Sequence, residues 1–566
     1  MMNERGKSDG PVVPAKSPNK AAKAVAEAVE GRGPTKGNTN QQNASRTQSR
    51  IHGVSSALDR VRQRARRDKG VKFTALLHHV TIDLLRESFR ALKPKAAAGV
   101  DGVTWKQYAE ELEENLRELH SRLHRGAYRA KPVRRVMIPK PDGGERPLGI
   151  ASLEEKVVQR AVSTVLGAIY EADFLGFSYG FRPRRNPHQA LDALAVGIDR
   201  RRVNWVFDAD IRGFFDSMDH EWIRRFVEHR IADRRIVHLI QKWLKAGILQ
   251  DGVKTIPEAG SPQGATISPL LANIYLHYVF DLWVERWRRG AKGEVIVVRF
   301  ADDLVLGFEY KSDAQRFWKE LRERFARFRL ELHPRKTRLL RFGTYAAHNR
   351  AVRREGKPET FDFLGFTHIC GKSRQGRFLL KRWVSKKRMR STLKALRRSI
   401  LKRRHLPLPV QGAWLRSVLQ GYFGYYAVPT SFERLEQFRK EVIRAWFWAL
   451  RRRSQRTRLT WERMKILVER WIPRLRILHP WPSVRLTPEP EVGAQCGSSA
   501  RWDLCGGRPD PKVLRAVSTA TVEAQVRAKA LDDRDDAAVE RRDGGESMLT
   551  FDGAPDVLKD GSSEAP

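Results

Sequence analysis

Residues Val297–Phe308 read VVRFADDLVLGF, in which two short apolar runs flank a pair of adjacent carboxylates. Short apolar runs rich in valine and leucine predict two buried β-strands. The residues between them suffice only for a tight turn, so the stretch predicts a hairpin with Asp302 and Asp303 at its tip. Hairpin turns usually carry Asn-Gly or Asp-Gly, because positive φ is needed there. Two adjacent acids on a stiff turn repel each other, and Mg²⁺ would relieve that repulsion because it prefers carboxylate oxygens.

A second acidic strand lies upstream, in residues 205–216, which read WVFDADIRGFFD. Strand periodicity places Asp208 and Asp210 on the same face, with Asp210 at the strand end. An isolated Asp-Asp pair is typical of a solvated turn. Sheet pairing that brought Asp210 beside the hairpin would instead make a cluster of three carboxylates. Such a cluster can hold two Mg²⁺ ions about 3.5–4 Å apart, as polymerases do for in-line nucleotidyl transfer.

Three motifs in this order resemble the palm motifs A, B and C of reverse transcriptases. They are Asp210 with the following Phe214-Phe215, Gly260-Ser261-Pro262-Gln263-Gly264, and Phe300-Ala301-Asp302-Asp303. The surrounding blocks, from about residue 75 to 486, resemble the group II intron-encoded branch, the reverse transcriptase/maturases of bacteria and organelles. The resemblance implies an RNA-directed DNA polymerase, a nucleotidyltransferase that copies intron RNA into cDNA and assists splicing and mobility. It implies Asp210, Asp302 and Asp303 as catalytic residues that hold two Mg²⁺ ions together with Ile211.

The resemblance also implies an α+β fold, a right-hand polymerase with fingers and a palm built on an antiparallel sheet. An α-helical thumb and maturase domain would follow it. The predicted boundaries are a disordered basic tail over 1–70, fingers and palm over 71–375, the helical thumb and maturase domain over 376–486, and an acidic, disordered tail over 487–566.

Composition favours a polyanionic partner. The 566 residues hold 108 Lys and Arg against 65 Asp and Glu, a net charge of +43. A charge this large is typical of nucleic-acid binding. The three cysteines show neither a disulfide framework nor zinc-ligand spacing, so the HNH endonuclease of some family members is not expected. No apolar run approaches the roughly 18 residues that span a bilayer, and the N-terminus lacks a secretory signal. These features predict a cytoplasmic protein, and the resemblance implies a bacterial one that reaches the nucleoid through DNA targets.

Four residues are predicted to contact the incoming nucleotide. The turn Pro-Asp-Gly-Gly at residues 141–144 predicts a hairpin that places Lys140 and Arg146 on facing strands, where two cations suit a triphosphate. Gln263 in the motif B loop can contact the nucleotide and the template base. Phe215, five residues past Asp210, occupies the position where the superfamily places an aromatic ring under the sugar. Core packing is the alternative role for Phe215.

Further residues are predicted from similar blocks. Residues 330–338, LELHPRKTR, resemble motif D, in which Lys336 would be a general acid or only a charge stabiliser. Basic residues predicted to contact RNA lie in the turn at 178–185, in a basic amphipathic helix over 381–404 assigned to the thumb, and in a maturase-like segment. They are Arg182, Arg184, Lys386, Lys387, Arg390, Arg451, Arg452 and Arg453. For the maturase-like segment, a packed helical core with a charged rim is the alternative.

The expected partners are group II intron RNA, template RNA, a DNA primer and dNTPs, with no membrane, and either a monomer or a homodimer. Two other functions stay open: a splicing-only RNA-binding maturase, and a related reverse transcriptase used in antiviral defence. The presence of all three catalytic aspartates favours an enzyme. Further helices are predicted over 72–92, over 105–124 with Thr104 as N-cap, over 151–170, as a pair within 221–249 that breaks near Asp233, and over 268–287 and 311–328.

Overall fold

A computed structural model describes residues 57–139, 145–250, 252–262, 264–454 and 459–486. Its strands, in chain order, are β1 (Val133–Pro139), β2 (Glu145–Ile150), β3 (Trp205–Asp210), β4 (Ile248–Gln250), β5 (Val253–Thr255), β6 (Val295–Phe300), β7 (Asp303–Phe308), β8 (Arg338–Arg341), β9 (Phe361–Phe363), β10 (Phe366–Lys372) and β11 (Phe378–Val384). They form three sheets with the orders β2-β1-β4-β5, β6-β7-β3-β8 and β11-β10-β9.

Helices surround these sheets. The α-helices are 57–67, Ile82–Arg90, Trp105–Glu110, Leu112–His124, Leu153–Asp173, Pro187–Arg200, Phe214–Ser217, His220–Glu228, Arg234–Lys245, Ser268–Leu276, Leu282–Arg289, Lys311–Arg327, Ala346–Val352, Lys386–Lys402, Leu408–Tyr426, Phe432–Arg451, Trp461–Trp471 and Pro482–Leu486. A 3₁₀ turn covers Leu77–His79 and a π-helical turn covers His277–Asp281. The predicted α+β class is confirmed. Among the described helices, none combines the length and apolar character that a bilayer-spanning helix requires.

The central sheet, β6-β7-β3-β8, is antiparallel and buried on both faces. On β7, Leu304, Leu306 and Phe308 belong to one hydrophobic core, whereas Val305 belongs to the other. Alternate side chains of a strand point to opposite faces, so an almost continuous apolar run suits a strand between two cores. Burial of each large side chain contributes about 1.5–3 kcal/mol. The cores therefore hold β7 rigidly and fix the position of its acidic end.

Most predicted helices are present with shifted ends. Thr104 caps its helix through a capping box, and Asp233 caps the second helix of the predicted pair. The predicted helix over 105–124 is broken at Glu111, and the one over 268–287 contains the π-helical turn. The predicted helix over 381–404 is wrong at its start, because residues 381–384 end β11 and the helix begins at Lys386.

Candidate active site

The two acidic strands are neighbours in the central sheet. β3 pairs antiparallel with β7 in a register that places Asp210 directly opposite Asp303. β6 pairs with β7 so that Phe300 lies opposite Asp303, which leaves Ala301 and Asp302 as a two-residue turn. We call these two residues the acidic turn. The predicted hairpin is therefore confirmed, although Asp303 is the first residue of β7 and only Asp302 lies in the turn.

The acidic turn has an uncommon backbone. Ala301 has φ of 58°, a left-handed conformation that hairpin turns usually assign to glycine or asparagine. A non-glycine residue held this way costs about 1–3 kcal/mol, and such residues concentrate at functional sites. Ala301 is also buried, so the surrounding structure enforces the conformation.

Burial and mutual repulsion perturb the acidic cluster. Burial, together with the negative charges of Asp302, Asp210 and Asp208, raises the pKa of Asp303 to about 7. The pKa of Asp208 rises to about 6 for the same main reason, burial, although Arg338 opposes the rise from 3.1 Å. The Nζ atom of Lys336 donates to Oδ2 of Asp210 at 2.6 Å, and this bond raises the pKa of Lys336. Lys336 therefore supplies part of the positive charge that the cluster needs.

Backbone bonds fasten the lysine segment to the end of β3. Ile211 forms an antiparallel bridge with Leu332, and the amide of His333 donates to the carbonyl of Asp210 at 2.8 Å. The amide of Arg212 donates to the carbonyl of Glu331, also at 2.8 Å. The segment that carries Lys336 thus extends the sheet beyond β3. The structure brings Asp210, Asp302, Asp303 and Lys336 together, as the sequence predicts.

Comparison with known proteins identifies the family. The family described as "Reverse transcriptase (RNA-dependent DNA polymerase)" matches residues 138–368. Protein YkfC of Escherichia coli strain K12 is 36% identical over 272 residues, which cover 42% of this chain and 71% of YkfC. The chain belongs to the reverse transcriptase family.

Two intron proteins place the chain within that family. The group II intron-encoded protein LtrA of Lactococcus lactis is 34% identical over 222 residues, which cover 39% of this chain and 37% of LtrA. A putative COX1/OXI3 intron 1 protein of Saccharomyces cerevisiae is 31% identical over 205 residues, which cover 36% of this chain and 24% of that protein. The chain is thus a member of the group II intron-encoded reverse transcriptase/maturases, although it spans well under half the length of these two relatives.

Reverse transcriptases in general use Mg²⁺, and the donor set here fits that ion. Asp210, Asp302 and Asp303 offer the hard carboxylate oxygens that Mg²⁺ prefers, and their crowding is relieved by added positive charge. Across the described residues, however, no three His, Cys, Asp or Glu side chains already form a metal-binding group. The ion pair between Lys336 and Asp210 occupies one of the carboxylates instead.

Phe215 lies where motifs A and B meet. Its ring is half-buried, packs against the first hydrophobic core and makes an edge contact with Phe181 at 6.4 Å between ring centroids. Its carbonyl accepts from the amide of Ser261 at 2.7 Å. A Cβ on Gly260 would lie 2.9–3.0 Å from the backbone of Phe215 and Asp216, so only glycine fits this approach. The geometry is compatible with both predicted roles of Phe215.

For three of the predicted nucleotide-binding residues, the structure describes only the backbone or nothing. Lys140 and Gln263 lie outside the described residues. The backbone of Arg146 is described and pairs with Ile138, so the predicted hairpin of β1 and β2 is confirmed.

The predicted RNA contacts differ in exposure. Arg182 is buried, pairs with Glu171 at 3.0 Å and donates to the carbonyls of Leu175 and Ser178. This geometry replaces its predicted RNA contact with a structural role, because its donors are already used inside the protein. The exposed candidates are Arg184, Lys386, Lys387, Arg390, Arg451 and Arg452, and Arg453 is half-buried with a bond to the carbonyl of His405.

Two charged groups beside the cluster are not among the predicted site residues. Arg338, on β8, pairs with Asp208. Arg299, on β6, is fully buried and pairs with Asp281, which is also fully buried. The second pair has a sequence signal: a charged residue within the apolar strand VIVVRF requires a buried partner. The partner itself is 18 positions away and has no such signal.

Proposed function

We propose that the protein is the RNA-directed DNA polymerase of a group II intron, which copies intron RNA into cDNA and binds that RNA to assist splicing and mobility. The observation that carries the proposal is the β3–β7 register, which sets Asp210 opposite Asp303 beside Asp302 in the acidic turn. The substrates would be dNTPs, a DNA primer and an RNA template. The site would work in the bacterial cytoplasm, on DNA targets in the nucleoid.

The chemistry follows from the acidic cluster. Asp210, Asp302, Asp303 and the carbonyl of Ile211 would hold two Mg²⁺ ions. When bound, these ions activate the 3′-hydroxyl and neutralise the developing phosphate charge. The protein contributes a rigid cluster: β3 and β7 lie between two hydrophobic cores, so the carboxylates are held in place before substrate binds.

Lys336 would act next to the leaving pyrophosphate. Its side chain is 61% exposed, so it can leave Asp210 when the carboxylate takes another partner. An ordinary lysine is already protonated at neutral pH, and the hydrogen bond to Asp210 raises the pKa of Lys336 further. A protonated lysine serves either as a general acid or as a charge stabiliser.

RNA binding would use the C-terminal half of the described chain. The helix Lys386–Lys402, which we assign to the thumb, exposes Lys386, Lys387 and Arg390 at its first turns. The helices Leu408–Tyr426 to Trp461–Trp471 would form the maturase domain, with Arg451–Arg453 at the end of one of them. With residues 71–375 as fingers and palm, this gives a right-hand polymerase. Folded RNA is recognised mainly by its shape, which suits helices with basic rims.

The decisive experiment is Asp302→Asn, tested by primer extension on an RNA template and by binding to intron RNA. Loss of a carboxylate from a two-metal site should remove several kcal/mol of transition-state stabilisation, so we expect synthesis to fall by more than about 10³-fold. RNA binding should stay, because the basic surface lies elsewhere. Glu331→Gln is the matched control: it removes an exposed carboxylate near the site, whose ion pair with Arg212 is 64% exposed on both sides.

The outcomes separate the candidate functions. A parental protein that binds its intron and promotes splicing without DNA synthesis would be a splicing-only maturase. One that synthesises DNA but has no effect on splicing of any flanking intron would fit a reverse transcriptase used in defence. If Asp302→Asn keeps a tenth of the parental rate, Asp302 does not bind the metal.

A further inference from the structure

Arg299 is a buried cation directly behind the acidic turn. Its guanidinium forms a two-pronged bond with Asp281, with Nε to Oδ1 at 2.7 Å and the second nitrogen to Oδ2 at 2.6 Å. Both side chains are 0% exposed. Such a pair is fully desolvated and has one arrangement, because the planar fork of arginine matches both carboxylate oxygens.

The remaining guanidinium nitrogen of Arg299 reaches the acidic turn itself. It donates to the carbonyl of Ala301 at 3.1 Å and to Oδ1 of Asn273 at 3.1 Å. Asn273 in turn donates to the carbonyl of Gly180 at 2.8 Å. Asn273 is buried, so its amide is also shielded from water. One buried network thus joins the acidic turn, a helix and the loop that contains Gly180.

The loop that contains Gly180 also contacts the backbone of β6 and of the acidic turn. Backbone bonds at 2.9 Å link the amide of Tyr179 to the carbonyl of Arg299, and the amide of Arg299 to the carbonyl of Phe177. A Cβ on Gly180 would lie 2.3 Å from the amide nitrogen of Ala301, so the loop packs directly on the backbone of the turn. Ala301 is therefore held in its left-handed conformation by contacts from two sides.

The π-helical turn His277–Asp281 sets the angle of this network. Eight residues separate Asn273 from Asp281, which in a regular α-helix puts them about 80° apart. A π-helical turn absorbs one extra residue, so the pair is offset by about 20° and both side chains face Arg299. π-Helical turns are rare and are frequently found at functional sites. The π-helical turn is a feature of the backbone, and it brings Asn273 and Asp281 to the side of the helix that faces Arg299.

Stability does not explain this arrangement. Desolvation of a buried ion pair often exceeds its attraction, and apolar replacements of such pairs are frequently neutral or stabilising. What the network provides is a fixed position for the acidic turn. We propose that Arg299, held by Asp281 and Asn273, is a positioning residue that sets Asp302 and Asp303 in the geometry required for nucleotidyl transfer. This inference rests on the proposed polymerase function.

The test is the double variant Asp281→Leu/Arg299→Met, which replaces the ion pair with apolar side chains. We expect a melting temperature near the parental value: no buried charge is left unpaired, but the carbonyl of Ala301 and Oδ1 of Asn273 lose their donor, which offsets the gain from apolar side chains. The maximal rate of nucleotide addition should fall on the order of 10²-fold, since small misplacements at a reaction centre cost that much. The Mg²⁺ concentration for half-maximal rate should rise, while binding of the primed template should not change.

A second readout does not depend on activity. In the metal-free protein, hydrogen–deuterium exchange of the peptide over 297–306 should become faster, and exchange elsewhere in the central sheet should not. The matched control is Asp192→Leu/Arg382→Met, a pair that is 2% exposed on each side and does not contact the acidic turn. Asp192 has a second partner, Arg485, which is 23% exposed and can therefore be solvated when the carboxylate is removed. The control should leave the exchange of that peptide and the Mg²⁺ dependence at parental values.

Each outcome has a distinct meaning. A stable double variant with parental rate, Mg²⁺ dependence and exchange would overturn the positioning role and leave the polymerase proposal intact. A parental protein without DNA synthesis would remove the polymerase proposal itself. If the double variant does not fold, Asn273→Ser decides: it keeps the ion pair and should slow addition about 10-fold in a folded protein of somewhat lower stability. A parental rate would also overturn the inference.

Discussion

At the scale of single residues, Phe215 has two candidate roles: a ring that blocks the 2′-hydroxyl of a ribonucleotide, or a packing residue of the core. Its ring is half-buried beside Phe181, at the junction of motifs A and B. If the ring blocks the 2′-hydroxyl of a ribonucleotide, Phe215→Ala should raise ribonucleotide incorporation relative to deoxyribonucleotide incorporation by at least about 10-fold, a change of about 1.4 kcal/mol in discrimination. Single-nucleotide addition with each substrate measures this ratio.

The control for that prediction is Phe215→Tyr, which keeps an aromatic ring of nearly the same size and should keep the ratio. A folded Phe215→Ala variant with the parental ratio and a lower melting temperature would assign the ring to core packing instead.

The acidic pair shows what a sequence predicts about single residues and what it does not. The types and order of Asp210, Asp302 and Asp303 are sufficient to predict that they meet. The sequence does not predict which two residues form the turn, because a turn of Asp302-Asp303 would fit the same apolar pattern. The pairing of Phe300 with Asp303 and the close approach of Gly180 decide it. Those are non-local contacts, which periodicity does not contain.

At the scale of elements, local signals succeed where they are strong. The predicted N-cap Thr104 and the predicted break near Asp233 both fall at helix starts, where a side-chain oxygen accepts from free amides. The predicted start of the helix Lys386–Lys402 is wrong, since Lys381 and Arg382 fit the helical spacing of cations in the sequence. Arg382 instead lies buried on β11 and pairs with Asp192, a partner 190 positions earlier.

A cluster of histidines anchors the last described helix to the helix Pro187–Arg200. His188 stacks on His479 at 3.8 Å, and His479 bonds to the carbonyl of Gly424 and to Arg485. Arg485 also pairs with Asp192 at 2.7 Å. Burial is the main reason that the pKa of His188 falls to about 3, and burial also lowers the pKa of His479.

These pKa values give the anchor a pH dependence. Both imidazoles are neutral in the folded protein, whereas in the unfolded chain they take up protons below about pH 6.5. The contribution of His188 to stability is therefore fully present above pH 6.5 and is lost as the pH falls toward 3, and the contribution of His479 changes in the same direction. We expect hydrogen exchange over residues 474–485 to accelerate between pH 7.5 and pH 5, after correction for the intrinsic exchange rate. His188→Phe should reduce that change, and His348→Phe, at an exposed site, should not.

At the scale of the whole molecule, charge is distributed unevenly along the chain. Residues 487–566 hold 10 Lys and Arg against 16 Asp and Glu, a net charge of −6, so residues 1–486 carry +49. Each phosphate that such a surface neutralises releases counterions, which makes binding strongly dependent on salt. Charge alone would bind any RNA. A preference for a parent intron, as proposed, would therefore have to come from the shape of the folded RNA.

The last prediction separates these two contributions. Neutralising Lys386, Lys387 and Arg390 should weaken binding to every RNA and reduce the slope of log affinity against log salt by about 2 to 3. Changes at Arg451–Arg453 should instead remove the preference for the parent intron and the help to splicing at low Mg²⁺. Synthesis on a simple template should largely remain, because these arginines do not contact the acidic cluster.

A matched control removes the same charge from paired arginines. Arg117, Arg224 and Arg225 already form ion pairs with glutamates of their own helices, so their neutralisation lowers the net charge by three without removing free cations. If that control flattens the salt slope as much as the thumb variant, the slope reflects total charge and the thumb helix has no special contact. If parent and unrelated RNAs bind equally at every salt concentration, and substitutions at Arg451–Arg453 do not affect splicing, the basic surface binds nucleic acid without preference for one RNA. The maturase function would then be wrong while the polymerase site stands, because the two depend on different residues.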